Sequence, residues 1–366
     1  MNLHIQKLAL LNFKNFEDAL LEFSPGVNCI VGNNGAGKTN ILDAIHYLSV
    51  CKSFLNPVDS QNINHEADMF VVQGIFNRDE KEFDIYCGIK KGSKKQFKRD
   101  KKAYDKLMDH IGFIPVVVIS PLDGQIITEG SDVRRKFIDS VICQVDKEYL
   151  AQLLQYNKVL QQRNALLKQF HQPSFSTTTL GLYDEQLDTY GMPVFEKRLA
   201  FFKEFNPILE KYFNQIAHAN EKVEIEYVTQ MKDGPLLDLL TKNRRKDLSN
   251  FYTNYGVHKD DLSLNLNGHP IKKFGSQGQQ KTLLIALKLA KLEYLKEKLN
   301  VHPILLLDDA YDKLDDNRMQ YLLKLLTDEK LSQIFITDTS KERIPSIFKK
   351  LKVDVKVFEI SGGKVE

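Results

Sequence analysis

Apolar and polar positions alternate from the start of the chain. Leu3, Ile5, Leu8, Leu10 and Phe13 describe a somewhat irregular strand. Ser24-Pro25-Gly26 signals a turn. Val27-Asn28-Cys29-Ile30-Val31 then reads as a short apolar strand that runs into a glycine-rich stretch. Ile41, Leu42, Ala44, Ile45 and Leu48 follow at helical spacing, so strand, loop and helix come in succession. Residues 70–90 alternate like antiparallel strands, and Pro115 to Ser120 is another apolar strand. From about Ser131 to Gln215 the pattern changes to long amphipathic helices, with Phe137, Ile138, Val141 and Ile142 on a helical period. Strands return at Val223–Val228 and Leu262–Leu266, the latter closed by the hairpin signal Asn267-Gly268. A helix from about Gln279 to Lys296 and two apolar strands, Ile304–Leu307 and Ile334–Thr337, complete the pattern. It predicts an α/β head built from both chain ends, residues 1–130 and 251–366, around a largely helical insertion, residues 131–250.

Composition supports this reading. The chain has 366 residues, enough for two domains or one interrupted one, and is 42% hydrophobic and 27% charged, as in globular proteins with a core. No apolar run of about 18 residues appears, so no membrane span is expected. Met1, Asn2 and Leu3 lead directly into the first strand, without the features of a secretory signal, so a cytoplasmic location is expected. Cys29, Cys51, Cys87 and Cys143 are far apart and form no C-x-x-C pair, which favours buried reduced thiols. The net charge of +3 says little about partners. Locally, Lys90 to Lys102 holds eight basic residues against Asp100 alone: a phosphate-binding patch or a solvated hairpin tip.

Three segments carry candidate chemistry. Gly32-Asn33-Asn34-Gly35-Ala36-Gly37-Lys38-Thr39, followed by Asn40, fits G-x-x-x-x-G-K-[ST]. Glycines let backbone N–H groups turn towards a β-phosphate, and the helix behind points its positive end at the same anion. Lys38 would reach the β- and γ-phosphates of ATP, and the Thr39 hydroxyl would bind Mg²⁺. The strand Ile304–Leu307 ends in two carboxylates. Asp308 would hold Mg²⁺, and Asp309 would orient or deprotonate the attacking water. The third segment is Phe274-Gly275-Ser276-Gln277-Gly278-Gln279, which opens a helix. Ser276 suits a helix cap, and Ser276, Gly278 and Gln279 together suit a γ-phosphate.

The order of these segments resembles an ABC-type P-loop ATPase head. In that superfamily the Ser276 segment would be the signature loop that completes a second subunit's site. Asp312-Lys313-Leu314-Asp315 resembles the D-loop. Further stretches resemble the RecF family: Leu8 to Phe16, Gly37 to Ile45, Gly130 to Asp139, Leu160 to Lys168 and Gly256 to Leu262. The resemblance implies a DNA replication and repair ATPase. Such a protein binds duplex or gapped DNA and single-strand junctions, dimerises with ATP, and helps RecA loading with RecO and RecR. It also implies a part in the SOS response. The DNA contacts expected are Lys94, Lys95, Lys98 and Arg99, then Arg134 and Arg135; Arg163 is a weaker candidate beside them. All three arginines have a plain alternative as solvated helix residues.

The chain departs from the family pattern at Val257, where Pro is usual, and at Lys259, where Arg is usual. Lys lacks the planar two-pronged contact of Arg. Asp338 stands where transporter-type ABC proteins carry a His. Asp309 replaces the common Glu, consistent with slow hydrolysis; the RecF resemblance implies a slow, DNA-stimulated ATPase. Gln125 is either a sensor of water and Mg²⁺ or a surface residue. A transporter ATPase fits poorly without the His and with the insertion. A chromosome-structuring SMC protein would need long heptad runs, which are missing here. An ATP-gated DNA clamp without significant hydrolysis is the nearest alternative.

Overall fold

The computed structural model describes residues 3–173, 175–217, 221–309, 323 and 333–365. Along the chain come β1 (Leu3–Phe13), β2 (Phe16–Glu22), β3 (Val27–Val31), α1 (Lys38–Val50), β4 (Met69–Arg78), β5 (Lys81–Lys90), β6 (Gln96–Arg99), β7 (Lys102–Ala103) and β8 (Val116–Ile119). Then follow α2 (Gln125–Thr128), α3 (Ser131–Val145), α4 (Lys147–Leu167), α5 (Thr177–Ile216), β9 (Val223–Val228), α6 (Leu236–Lys242) and α7 (Arg244–Asn250). The remainder is β10 (Asp261–Leu266), β11 (His269–Pro270), α8 (Ile271–Phe274), α9 (Gln277–Leu299), β12 (Ile304–Leu307), β13 (Ile334–Asp338), α10 (Arg343–Lys350), β14 (Val355–Ser361) and β15 (Lys364–Val365). These elements form two compact units, Met1–Asp123 with Leu287–Glu366, and Gly124–Ala286.

The first unit contains two sheets. One is antiparallel, in the order β2-β1-β4-β5-β6-β7. The other has the order β15-β14-β3-β13-β12-β8, and every neighbouring pair from β14 to β8 is parallel. All residues of β3 and β12 are buried, as a strand covered on both faces requires. Helix α1 contacts strands of both sheets. Its Leu48 lies so close to β4 that a Cβ on Gly74 would sit 2.7 Å from Leu48 Cδ1. Phe13, Phe16, Tyr47, Phe70, Leu306 and Phe335 share the buried core. In the parallel sheet β3, β13 and β12 are adjacent, so their C-terminal ends converge, the usual ligand position in such sheets.

The second unit combines α3, α4 and the 40-residue α5 with a sheet ordered β11-β10-β9. Asn267 (φ 51°) and Gly268 (φ 77°) make the expected hairpin turn between β10 and β11. The unit runs on to Ala286, beyond the 250 drawn from helical periodicity, because β9 pairs with the later β10. Residues 251–275 therefore pack with the insertion, and the Ser276 segment belongs to this unit as well.

Its interior holds charged groups in pairs, the arrangement burial demands. Arg163 is fully buried, bonding Asp184 and Asp247 at 2.7 Å each and Thr253 at 2.8 Å. Arg198 bonds Asp139 and Asp260, each at 2.8 Å. Burial pulls His258 down to about 4, so its ring is neutral. The Nε2–H then donates to Thr253 O at 3.0 Å, and Nδ1 accepts from the Tyr156 hydroxyl at 2.7 Å.

Candidate functional site

The loop Gly32–Gly37 joins β3 to α1 through backbone that only glycine adopts easily: φ is 81° at Gly35 and 117° at Gly37. A Cβ on Gly37 would lie 2.7 Å from Asn15 Nδ2. Gly37 caps α1 without a side-chain bond, and the first turn carries no acidic residue, so this end suits an anion. The buried Lys38 ammonium donates to Gly32 O at 2.9 Å and Asn33 O at 3.2 Å, closing the loop on itself. Asn33, Asn34 and Gly35 are exposed, Ala36 is buried, and Thr39 and Asn40 are half-buried.

Two anchors hold the loop that sequence reasoning missed. Asn15, from the turn between β1 and β2, donates to Ala36 O at 2.9 Å and accepts from Asn40 Nδ2 at 2.7 Å. Gly363 N also reaches Ala36 O, at 3.1 Å. Beside Asn15, Lys14 pairs with the fully buried Asp43 of α1, which also accepts from Ser53 Oγ and Phe54 N. Burial lowers the Lys14 ammonium below its ordinary value, while the Asp43 charge opposes the shift.

The carboxylates stand opposite this loop. Thr39 Oγ1 donates to Asp308 Oδ1 at 2.9 Å. Burial raises the Asp308 carboxyl; hydrogen bonds from Thr39 and Thr337 resist that shift, the Asp309 charge adds to it, and Lys38 opposes it. Asp309 has φ 42°, left-handed for a residue with a side chain. Its N–H donates to Thr337 Oγ1 at 2.8 Å. Asp338 ends β13 in register with Val31, and its carbonyl accepts from Gly32 N at 3.3 Å. Its buried carboxylate accepts from Ser340 N at 2.9 Å and lies 3.8 Å from Arg343 Nε. Asp338 thus adjoins the glycine loop through main chain.

Oxygens on adjacent corners of an octahedron lie about 2.9 Å apart when metal–oxygen distances are about 2.0–2.1 Å, as for Mg²⁺. The Thr39–Asp308 separation of 2.9 Å matches that edge. Among the described residues no cluster of three or more His, Cys, Asp or Glu forms a metal site. A cation on this pair would take its other ligands from phosphate and water, as Mg²⁺ prefers.

The other sequence candidates lie elsewhere. Ser276 and Gln279 form a reciprocal cap on α9: Ser276 N donates to Gln279 Oε1 at 2.7 Å, and Gln279 N to Ser276 Oγ at 3.2 Å. Gln279 Nε2 also bonds Glu221 at 2.7 Å. Ser276 is exposed, Gly278 is half-buried beside it, and Phe274 is 69% exposed. Gln125 is an exposed residue opening α2. The Asp312–Asp315 segment lies outside the described residues.

Several of the expected DNA contacts also have partners within the fold. Lys95 donates to Cys51 O at 2.7 Å, pairs with Asp59 at 2.9 Å and covers the Tyr47 ring. Lys98 lies over Tyr86, and Arg99 over Phe113. Arg134 grips Asp261 with Nε and Nη2, and Arg135 bonds Ser131 Oγ and Asp260 O at 2.7 Å each. Arg163 is enclosed, as described above, and cannot face a ligand in this conformation. Lys94, ahead of β6, remains exposed, as do Lys101 and Lys102 at the β6–β7 turn beyond the other end of that strand. Of the departures from the family pattern, Val257 presents its carbonyl to Arg198 at 2.8 Å and Lys259 covers the Tyr252 ring. Cys29, Cys51 and Cys87 are buried free thiols and Cys143 a half-buried one. Burial pushes Cys29 and Cys51 up to about 12.

The family described as RecF/RecN/SMC N terminal domain matches residues 4–361. Fold and site thus define a P-loop ATPase head of that class. The DNA replication and repair protein RecF of Phocaeicola vulgatus is 49% identical over 363 residues, 99% of this chain and 97% of the relative. That of Flavobacterium johnsoniae is 49% identical over 359 residues, 98% of this chain and 100% of the relative. The recombination mediator protein RecF, solved as RecF-ATPrS and as RecF-ATP in the RecFOR pathway, superposes with TM-scores of 0.90 and 0.89. Both are 34% identical and cover 100% of this chain and 98% and 97% of theirs. An Smc head domain from Pyrococcus furiosus, at 15% identity and TM-score 0.56 over 100% of this chain and 95% of its own, shares the fold alone. The chain belongs to the RecF family. Among the described residues no helix is long and apolar enough to cross a membrane.

Proposed function

We propose that this chain binds ATP with Mg²⁺ at Gly32–Asn40, dimerises around the nucleotide, and in that state grips duplex or gapped DNA. It serves recombinational repair and replication restart in the cytoplasm, with RecO and RecR, in RecA loading and in the SOS response. The observation that carries the nucleotide reading is the Thr39–Asp308 contact of 2.9 Å, which joins the glycine loop to the Asp-Asp strand at a separation suited to Mg²⁺. The relatives solved as RecF-ATPrS and RecF-ATP support it.

In this reading Lys38 holds the β- and γ-phosphates and Asp309 orients water. Thr39 and Asp308 would hold Mg²⁺, which when bound would supply positive charge against the phosphates. Ser276, Gly278 and Gln279 address the γ-phosphate of a second copy; the exposed Ser276 and Phe274 suit a surface covered on dimerisation. Hydrolysis is slow and stimulated by DNA, and turnover releases the clamp.

The test is nucleotide binding and single-turnover hydrolysis, with and without DNA. Lys38→Ala should abolish ATP binding, and Asp309→Asn should keep binding while stopping turnover and trapping the ATP state. Equal ATP affinity in Lys38→Ala and the wild type would refute the site. Normal turnover in Asp309→Asn would remove its role and favour a clamp that hydrolysis does not govern.

A further inference from the structure

One buried hydroxyl touches both carboxylates of the Asp-Asp element and has no role in any motif. Thr337, 1% exposed, lies one residue before the end of β13, between the loop-bearing β3 and the carboxylate-bearing β12. Its Oγ1 accepts from Asp309 N at 2.8 Å. It lies 3.0 Å from Asp308 Oδ1 and 3.4 Å from Asp309 Oδ1, so its one proton goes to the nearer Asp308. Asp308 Oδ1 is the same oxygen that faces Thr39. Asp309 is left-handed, a conformation that persists only where its surroundings enforce it. Among the bonds on the page, the Thr337 hydroxyl is what fastens its main chain to the sheet.

We propose that Thr337 is a positioning residue for ATP hydrolysis: its hydroxyl fixes the Asp308 carboxylate beside Thr39 and holds the Asp309 main chain in the turn that aims its carboxylate. This rests on the reading of Gly32–Asn40 with Asp308 as the ATP and Mg²⁺ site. In the step served, a water oxygen bonds to the γ-phosphorus as the bond to the bridging oxygen breaks. ADP leaves with that oxygen, and the water proton passes to Asp309 and on to solvent. Thr337 touches none of the reacting atoms. It acts through the two carboxylates, as misplacement of a catalytic group by about 1 Å can lower a rate about a hundredfold.

The experiment compares wild type, Thr337→Val, Thr337→Ser, Asp309→Asn and Thr337→Val/Asp309→Asn. Val keeps the branched shape without the hydroxyl, and Ser restores the hydroxyl alone. ATP affinity is measured in EDTA and across a Mg²⁺ series, turnover under single-turnover conditions, and fold by thermal melting. Thr337→Val should bind ATP in EDTA like the wild type, need more Mg²⁺ for its metal-dependent affinity, and turn over about tenfold to a hundredfold more slowly. Thr337→Ser should recover most of both losses. In the Asp309→Asn background the Val change should cost less turnover than in the wild type, the remainder acting through Asp308, since groups acting as a unit are non-additive. Should Thr337→Val melt early, Thr337→Ser decides: a folded Ser variant as slow as Asp309→Asn overturns the proposal. So does normal turnover in a folded Val variant, or an equal further loss on top of Asp309→Asn. Failure of the site reading itself has a different signature, ATP affinity unchanged by Lys38→Ala, and this proposal would fall with it.

Discussion

Asn15 offers a quantitative test of how the loop is held ready for phosphate. Its side chain makes two hydrogen bonds to the loop region, to Ala36 O at 2.9 Å and from Asn40 Nδ2 at 2.7 Å. Each is worth about 1 kcal/mol net in a protein. Asn15→Ala removes both, so the loop loses about 2 kcal/mol of preference for this conformation, roughly thirtyfold in an equilibrium constant. Ala36 O keeps its bond from Gly363 N, so that figure is an upper bound. ATP affinity should therefore fall by about tenfold to thirtyfold at fixed Mg²⁺, measured by calorimetry or with a fluorescent ATP analogue. The melting temperature without nucleotide should fall by a few degrees as well, because the same two bonds count towards folding and about 1 kcal/mol is worth roughly 2–4 °C in a domain of this size. An affinity within twofold of wild type would show that Gly37, Gly363 and the Lys38 bonds fix the loop without Asn15.

Other consequences can be checked separately. Ser276→Arg should leave ATP binding by the monomer intact and stop ATP-driven dimerisation; light scattering that finds the ATP dimer in this variant would refute a site shared between copies. Replacing the exposed Lys94, Lys101 and Lys102 with Glu should weaken ATP-dependent DNA binding and flatten its salt slope, since each phosphate contact releases about one counterion. An unchanged slope would exclude the hairpin. His258, held near 4 when folded against an ordinary value of 6.5, binds a proton more readily in the unfolded chain between those values. Its contribution is thus present above pH 6.5 and lost as pH falls towards 4, of order 3 kcal/mol in all. The stability gap between wild type and His258→Gln should narrow from pH 7 to pH 4.5 in denaturant melts; a constant gap would contradict the burial argument.

What could be read from sequence was what is local in sequence. The glycine loop, the apolar strand before it and the helix after it are consecutive, so pattern and motif coincide. The strand Ile304–Leu307 announces its burial on both faces by being wholly apolar. The residues that tune the site were illegible because they act across the chain. Asn15 reaches Ala36 from a different turn, and Thr337 reaches Asp309 from a neighbouring strand. An Asn in a tight turn and a Thr at a strand end carry no motif. For the same reason counting charges cannot show that Lys95 is held by Asp59 and lies over Tyr47, or that Arg99 covers Phe113. Helical periodicity is likewise blind to the pairing between β9 and β10, which carries the second compact unit on to Ala286.

Asp309 shows why the site cannot be optimised for stability alone. A left-handed residue with a side chain costs about 1–2 kcal/mol relative to one in an allowed region. Glycine would remove that cost, and the turn after β12 would form without strain. The chain keeps a carboxylate there and secures the turn through the hydroxyl of Thr337 at 2.8 Å. The same hydroxyl serves Asp308, whose burial already raises its carboxyl and which therefore gains from each hydrogen bond it accepts. Valine would fill the space of Thr337 but leave the Asp309 N–H without this partner. A threonine at this strand end thus resolves a conflict between backbone conformation and the placement of two like charges, which neither carboxylate can resolve for itself.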